Sequence, residues 1–172
     1  MFLQSDILHL RAPELTDLDF LFHIENDTRL WGVSACKTPY SRYQLQTYIE
    51  NNAHDLYADK QVRLMIEAGG VVVGAIDLFD FSPADHRAEV GIVIDKDFRR
   101  RGLAKEALTL LCEYASHMLS IHQLYAYVLE DNLAARQLFA SCGFREVVCL
   151  ADWVFWGSEY RAVCLYQRIF EK

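Results

Sequence analysis

Apolar and polar residues alternate along this chain at two periods, and the changes of period lay out its elements. Ile7-Leu8-His9-Leu10-Arg11 reads as a short strand closed by Pro13. Thr16 then predicts an N-cap, with Asp17 and Asp19 in the first turn and Leu18, Leu21 and Phe22 as an apolar stripe. Residues 26–39 read as irregular and carry Trp31. Ser41, followed three residues on by Gln44, has the form of a capping box. Leu45, Tyr48, Ile49 and Leu56 predict the buried face of the helix it opens. Arg63 to Glu67 and Val71 to Phe79 read as apolar strands joined at Gly69-Gly70, a hairpin signal. After a turn at Ser82-Pro83-Ala84-Asp85, Arg87 to Asp95 predicts a further strand with Gly91 inside it. A glycine there predicts a bulge, which would pry the strand from its next neighbour and open a slot.

The period then becomes helical. Leu103, Ala104, Ala107, Leu108, Leu111, Ala115 and Met118 fall on one stripe. Gln123 to Leu129 is a strand, and Asn132 can cap a second helix carrying Leu133, Leu138 and Phe139. Cys142-Gly143-Phe144 is a helix stop with Gly143 at the C′ position. Glu146 to Leu150, Val154 to Trp156 and Arg161 to Phe170 read as strands, the last pair meeting near Gly157-Ser158. This order predicts an α/β fold: a mixed, mostly antiparallel central sheet with helices on both faces.

Composition adds bounds. The length, 172 residues, predicts a single domain over residues 1–172, with enough chain to bury a sizeable core. The net charge of -7 argues against a general nucleic-acid or anionic-membrane binder and suits a cationic substrate. Met1 to Asp6 has no basic region leading into an apolar core, and no apolar run reaches bilayer length. A cytoplasmic protein without a membrane partner is the expectation. Cys36, Cys112, Cys142, Cys149 and Cys164 are odd in number, scattered and without a CxxC pair. They predict reduced thiols and no metal site.

The stretch richest in chemistry is Arg99-Arg100-Arg101-Gly102-Leu103-Ala104-Lys105. A strand, a tight basic turn and a helix start gather unpaired backbone N–H groups at one point. The helix dipole and three arginines add positive charge there, which suits phosphate oxygens. Gly102 lets the backbone approach a bulky ligand without a Cβ in the way. The other reading is a solvated basic cluster. Three arginines at the positive end of a helix oppose its dipole, so without an anion they cost stability.

With its flanks, this stretch resembles the GNAT superfamily of acetyl-CoA-dependent N-acetyltransferases, over nearly the whole chain. Arg99-x-x-Gly102-x-Ala104 matches that family's (Gln/Arg)-x-x-Gly-x-(Gly/Ala) pyrophosphate loop. Ala88-Glu89-Val90-Gly91-Ile92-Val93-Ile94 lies upstream of it, and Glu130-Asp131-Asn132-Leu133-Ala134-Ala135 and Cys142-Gly143-Phe144 lie downstream, at family-like distances. Within the family the chain looks most like the spermidine/spermine acetyltransferases and the ribosomal-protein alanine N-acetyltransferases. The tail Phe155-Trp156-Gly157-Ser158-Glu159-Tyr160-Arg161 has the hairpin of that branch.

The resemblance implies an acyl-CoA N-acyltransferase fold, with splayed strands forming a V-shaped slot for coenzyme A. It implies that Arg99, Arg100, Arg101, Gly102, Leu103, Ala104 and Lys105 form the pyrophosphate site, through backbone N–H groups of Arg100 to Ala104. The exposed backbone of Ile92, Val93 and Ile94 would pair with the pantetheine arm, as a peptide pairs with a strand edge. Asn132, Arg136 and Phe139 complete the implied cofactor contacts; Asn132 is equally readable as a plain N-cap. Acetyl-CoA is the co-substrate, no metal is implied, and a homodimer is a family expectation. The acceptor is a small polyamine or diamine, alternatively a protein N-terminus. A catalytically silent acyl-CoA-binding module is the rival from another class.

Amine acetylation needs a base, close approach, a donor for the oxyanion and a proton for the thiolate. A backbone N–H near Ile92 or Val93 suits the oxyanion. Glu89 is the candidate base, since its alternation points it away from the face of Ala88, Val90 and Ile92. Half-buried beside the slot, its carboxylate would have a raised pKa and take a proton through water. The other reading is a surface glutamate paired with Arg87 or Arg63. Asp77 and Asp80 sit on the neighbouring strand, and their spacing of three predicts opposite faces. Asp77 is the better placed to draw an ammonium, unless it is solvated or paired. Trp31 and Trp153 are core residues or walls of an acceptor pocket. One departure stands out. The family's tyrosine acid, seven residues after the motif asparagine, is here Phe139, which has no proton to give. Water, Ser141, Cys142 or Tyr125 would replace it, or the thiolate would leave unaided, or activity would be lost.

Overall fold

The computed structural model describes residues 2–32, 37–53 and 55–171. In chain order the elements are β1 (His9–Arg11), α1 (Leu18–Glu25), α2 (Arg42–Asn51), α3 (Leu56–Asp59), β2 (Val62–Ala68), β3 (Val71–Ser82) and β4 (Arg87–Ile94). Then follow α4 (Leu103–His117), β5 (Gln123–Leu129), α5 (Leu133–Ser141), β6 (Arg145–Trp156) and β7 (Glu159–Ile169). The seven strands form one sheet in the order β1-β2-β3-β4-β5-β7-β6. Every pairing is antiparallel except β4 with β5.

That parallel pairing is short. It joins Arg87 to Gln123, Ala88 to Leu124 and Glu89 to Tyr125, and then it ends. β4 continues beside β3 as far as Ile94, and β5 continues beside β7 as far as Leu129. The two strands therefore part after Glu89, each held by its outer neighbour. Two parallel strands that separate leave a crevice at their C-terminal ends, where the following helices begin.

The alternation of strand residues divides the core. Leu64, Ile66, Ile76, Leu78, Ala88, Val90, Leu124 and Val128 pack with Leu103, Ala107, Leu108 and Leu111 of α4 and with Phe139 of α5. Met65 and Ala75 face the other way, against Leu21 and Ile24 of α1 and Leu45 of α2. Helices thus cover both faces, as the element order predicts.

Several local readings need correction. The N-cap of α1 is Asp17 and not Thr16, and the capping box of Glu14 and Asp17 closes the 3-10 turn Leu15–Asp17 just ahead of the helix. Asp17 is buried and accepts from the two terminal guanidinium nitrogens of Arg11 at 2.7 and 2.9 Å. Leu56 lies on α3, because α2 stops at Asn51. Met118 ends α4 exposed. β6 is one strand, not two, with an irregularity between Leu150 and Val154 at Asp152, whose φ is +51°.

The expected bulge at Gly91 is absent. The β3–β4 ladder runs unbroken from Gly74/Ile94 to Phe79/Glu89. Gly91 instead makes room for a neighbouring ring: a Cβ there would stand 3.1 Å from Cε1 of Phe79. The irregularity lies in β3, between Phe79 and Ser82, where Asp80 has φ of +49°. Cys149 and Cys164 sit opposite each other on β6 and β7 and form a disulfide, against the expectation of reduced thiols. Cys112 and Cys142 are free and buried, and Cys36 lies outside the described residues.

Candidate active site

A cleft of about 720 Å³ passes through the fork. It is lined on the fork by Glu89, Gly91, Ile92 and Val93 of β4 and Tyr127 and Leu129 of β5, with Asn132 and Phe139 of α5. On the α1–α2 side it is lined by Glu25, Trp31, Tyr40, Tyr48, Arg63 and Asp77.

Glu89 is the last paired residue of β4 on the β5 side. Its side chain is half-buried and forms no hydrogen bond or ion pair among the described residues. The two arginines that would have made it a surface ion pair are engaged elsewhere. Arg87 pairs with Asp85, and Arg63 with Glu25 and Asp77. Burial, then the negative charge of Asp80, pushes the Glu89 carboxyl up to about 7. A carboxyl that titrates near neutrality can take a proton and return it.

Asp80 departs from the expectation of opposite faces. The extra residue in β3 breaks the strict alternation of side chains. Asp80 thereby acts electrostatically on Glu89, and its Oδ2 accepts a 2.5 Å hydrogen bond from the Tyr125 hydroxyl. Burial and this carboxylate raise the Tyr125 pKa above its ordinary value.

Asp77 lines the cleft with its charge already matched. Arg63 Nε and Nη2 donate to its two oxygens at 2.8 and 3.0 Å, and Arg63 Nη1 donates to Glu25 Oε1 at 2.5 Å. The guanidinium also lies over the Tyr48 ring, 5.8 Å from its centroid. One cation between two carboxylates leaves this wall with net negative charge. Glu25, Arg63 and Tyr48 were not candidates in the sequence. They come together from α1, β2 and α2, and no local motif marks them.

Trp31 lines the cleft, and its indole N–H donates to the Glu25 carbonyl at 2.7 Å. Trp153 does not line it. It stands exposed on β6 and stacks on Tyr127 with centroids 6.5 Å apart. Trp156 of the same strand lines the cleft in its stead.

Of the implied cofactor residues, Ile92, Val93, Asn132 and Phe139 line the cleft. Among the described residues the β4 edge that faces β5 has no strand partner beyond Glu89, so its backbone groups are open to an extended ligand. The Ile94 side chain is buried in the core, and its carbonyl accepts from Arg99 Nε at 2.9 Å. Asn132 Oδ1 accepts from the Ala135 amide at 3.1 Å, so it caps α5 while bordering the cleft.

The basic turn lies outside the cleft, at the start of α4. Gly102 is its N-cap in the left-handed region, with φ of +78° and no side-chain cap. The amides of Leu103, Ala104 and Lys105 open the helix and so lack intrahelical acceptors. Arg100 is also left-handed, with φ of +62°. Arg101 donates to the Asp97 carbonyl and covers the Phe98 ring. None of Arg99, Arg100 and Arg101 forms an ion pair with a carboxylate among the described residues. Arg136, by contrast, is held by Glu146, the Tyr166 hydroxyl and the Glu130 carbonyl, away from the cleft lining.

Phe139 is buried and packs edge-on against Phe144 with centroids 5.1 Å apart. The three side chains that could replace its missing hydroxyl, Ser141, Cys142 and Tyr125, do not line the cleft. Ser141 Oγ donates to the Leu138 carbonyl, Cys142 is buried with its sulfur toward the Lys105 carbonyl, and Tyr125 is tied to Asp80.

Comparison with known proteins agrees with this architecture. The acetyltransferase (GNAT) domain family matches residues 8–145. Spermidine N(1)-acetyltransferase of Escherichia coli K12 is 26% identical over 165 residues, covering 92% of this chain and 85% of that protein. The Vibrio cholerae spermidine N(1)-acetyltransferase is 26% identical over 158 residues, covering 91% and 89%. The crystal structure of Vibrio cholerae spermidine N-acetyltransferase with CoA and spermine has a TM-score of 0.85 at 24% identity, over 96% of both chains. The ribosomal L7/L12 alpha-N-protein acetyltransferase RimL, in complex with CoA, has a TM-score of 0.83 at 18% identity, over 96% and 95%. A forked sheet, an uncapped basic helix start at its mouth and this family match lead to one conclusion: the chain belongs to the GNAT family and is an acetyl-CoA-dependent N-acetyltransferase.

Proposed function

We propose that this enzyme acetylates a primary amine of a small polyamine or diamine such as spermidine, with Glu89 as the base. The observation that carries the reading is Glu89 itself. It is an unpaired carboxyl raised to about 7, at the point where β4 leaves β5. The neutral amine attacks the thioester carbon and, as the carbon–nitrogen bond forms, gives a proton to Glu89 through water. The β4 amides near Ile92 and Val93 serve the oxyanion. Holding both reactants in one cleft supplies up to about 7–11 kcal/mol of the barrier reduction.

In this reading the pyrophosphate rests on the amides of Arg100 to Ala104, with Arg99, Arg101 and Lys105 around it. The pantetheine arm follows Ile92, Val93 and Ile94 and meets Asn132. Arg136 supports the start of α5 through the Glu130 carbonyl. The acceptor lies on the α1–α2 side, against Trp31 and the Glu25–Arg63–Asp77 wall. That wall's net negative charge suits a second ammonium on the acceptor, and relatives are named for spermidine. The exposed Val147, Val148 and Phe155 of β6 support a homodimer.

The test is thiol release from acetyl-CoA over spermidine, spermine, putrescine and a peptide with an N-terminal alanine. Turnover on the polyamines supports the reading. Turnover on the peptide alone transfers the acceptor to protein N-termini, and tight coenzyme A binding without turnover on any amine points to a silent binding module.

A further inference from the structure

Acetyl transfer to an amine leaves a thiolate that must gain a proton, and the helix position expected to give it holds Phe139. The cleft contains another hydroxyl. Of its three tyrosines, Tyr40 and Tyr48 come from the α2 side, whereas Tyr127 stands on a strand of the fork. Tyr127 lies two residues past Tyr125, the last β5 residue paired with β4. In a strand, residues two apart share a face, so Tyr127 is on the face of Tyr125 and of its register partner Glu89.

The Tyr127 ring is fixed on both sides. Tyr125 meets it edge-to-face at 5.9 Å, and Trp153 stacks on it at 6.5 Å with an interplanar angle of 20°. Its hydroxyl makes no hydrogen bond among the described residues. Tyr125, in contact with it, spends its own hydroxyl on Asp80. A cleft-lining phenol with a braced ring and an uncommitted O–H is equipped to donate a proton to a group arriving between the strands.

Resting on the acetyltransferase reading above, we infer that Tyr127 is the proton donor to the departing thiolate, in place of the residue at position 139. The amine nitrogen forms its bond to the carbonyl carbon and loses a proton to Glu89. The carbon–sulfur bond breaks, and its electron pair goes to sulfur. Sulfur takes the Tyr127 proton, solvent returns one to the tyrosinate, and Glu89 releases its own to solvent. The net change moves one proton from nitrogen to sulfur. Trp153, outside the cleft, thereby gains a positioning role through the ring it stacks on.

The test is Tyr127→Phe in the whole enzyme, read by kcat and, separately, by calorimetric affinity for coenzyme A. We expect kcat to fall about 10²-fold, with coenzyme A affinity within about twofold of native. Adding Phe139→Tyr to this variant returns a hydroxyl to the cleft and is expected to recover about tenfold or more in kcat. An unchanged kcat in Tyr127→Phe overturns the inference while leaving the acetyltransferase reading intact. A loss that follows coenzyme A affinity, or one that Phe139→Tyr fails to relieve in a variant of native thermal stability, also overturns it. A native protein that acetylates no amine overturns both.

Discussion

A carboxylate that loses water on folding without gaining a donor holds its proton to higher pH. Glu89 is in that position, and the sign of two effects follows. As the proposed base it must be ionised, so the rate is expected to fall below pH of about 7, roughly tenfold per unit. As a group whose folded pKa is raised, it contributes stability that is full below its unfolded pKa near 4.5 and is lost as pH rises through about 7. Glu89→Gln should therefore lower kcat about 10²–10³-fold and remove the acidic limb of the pH–rate profile. It should also stabilise the protein at pH 8 and not at pH 4, read by thermal melting. A variant that keeps an acidic limb near 7 would assign that limb to another group. The face that Glu89 presents was legible because alternation against Ala88 and Val90 fixes it locally. Tyr127 and the Asp80–Tyr125 bond were not, because they depend on how β3, β4 and β5 align and on an extra residue in β3 that no glycine or proline announces.

At the scale of elements, the start of α4 and the wall of the cleft make separate predictions. Gly102 has φ of +78° and open space where a Cβ would sit. Gly102→Glu therefore costs only the left-handed backbone, about 1–2 kcal/mol, or roughly 2–8 °C in melting temperature. A carboxylate at the helix N-cap then repels phosphate, and coenzyme A should no longer raise the melting temperature. Persistence of that thermal shift would contradict the phosphate assignment. Arg63 ties β2 to β3 through Asp77 and to α1 through Glu25. Arg63→Met leaves two half-buried carboxylates facing each other and should cost about 3 kcal/mol in denaturant unfolding. Glu25→Gln in that background should recover part of the loss. The capping box at Ser41 and Gln44, the Asn132 cap and the Gly157 hairpin were all readable in sequence, because each is satisfied within a few residues. The Cys149–Cys164 bond and the Arg63 wall were not. Their partners meet only through strand register or across 38 positions of chain.

Over the whole molecule, one topological feature organises the rest. A single parallel pairing lies inside an otherwise antiparallel sheet, and it ends after three residue pairs. Its two strands then run to separate outer neighbours, and α4 and α5 begin at the mouth they leave. The order of elements predicts the mixed sheet and the helices on both faces. It does not predict where the parallel pairing ends, since the expected bulge at Gly91 is absent and the parting begins at Glu89. The net charge of -7 is consistent with cationic acceptors, and among the described residues no helix is long and apolar enough to cross a membrane. The central claim is that this fork receives acetyl-CoA along the free edge of β4, with its diphosphate on the α4 amides. Backbone amide NMR during a coenzyme A titration tests it most directly. The account predicts the largest shifts at the amides of Ile92 to Ile94 and Arg100 to Lys105. Saturable binding that leaves both stretches unmoved would contradict it.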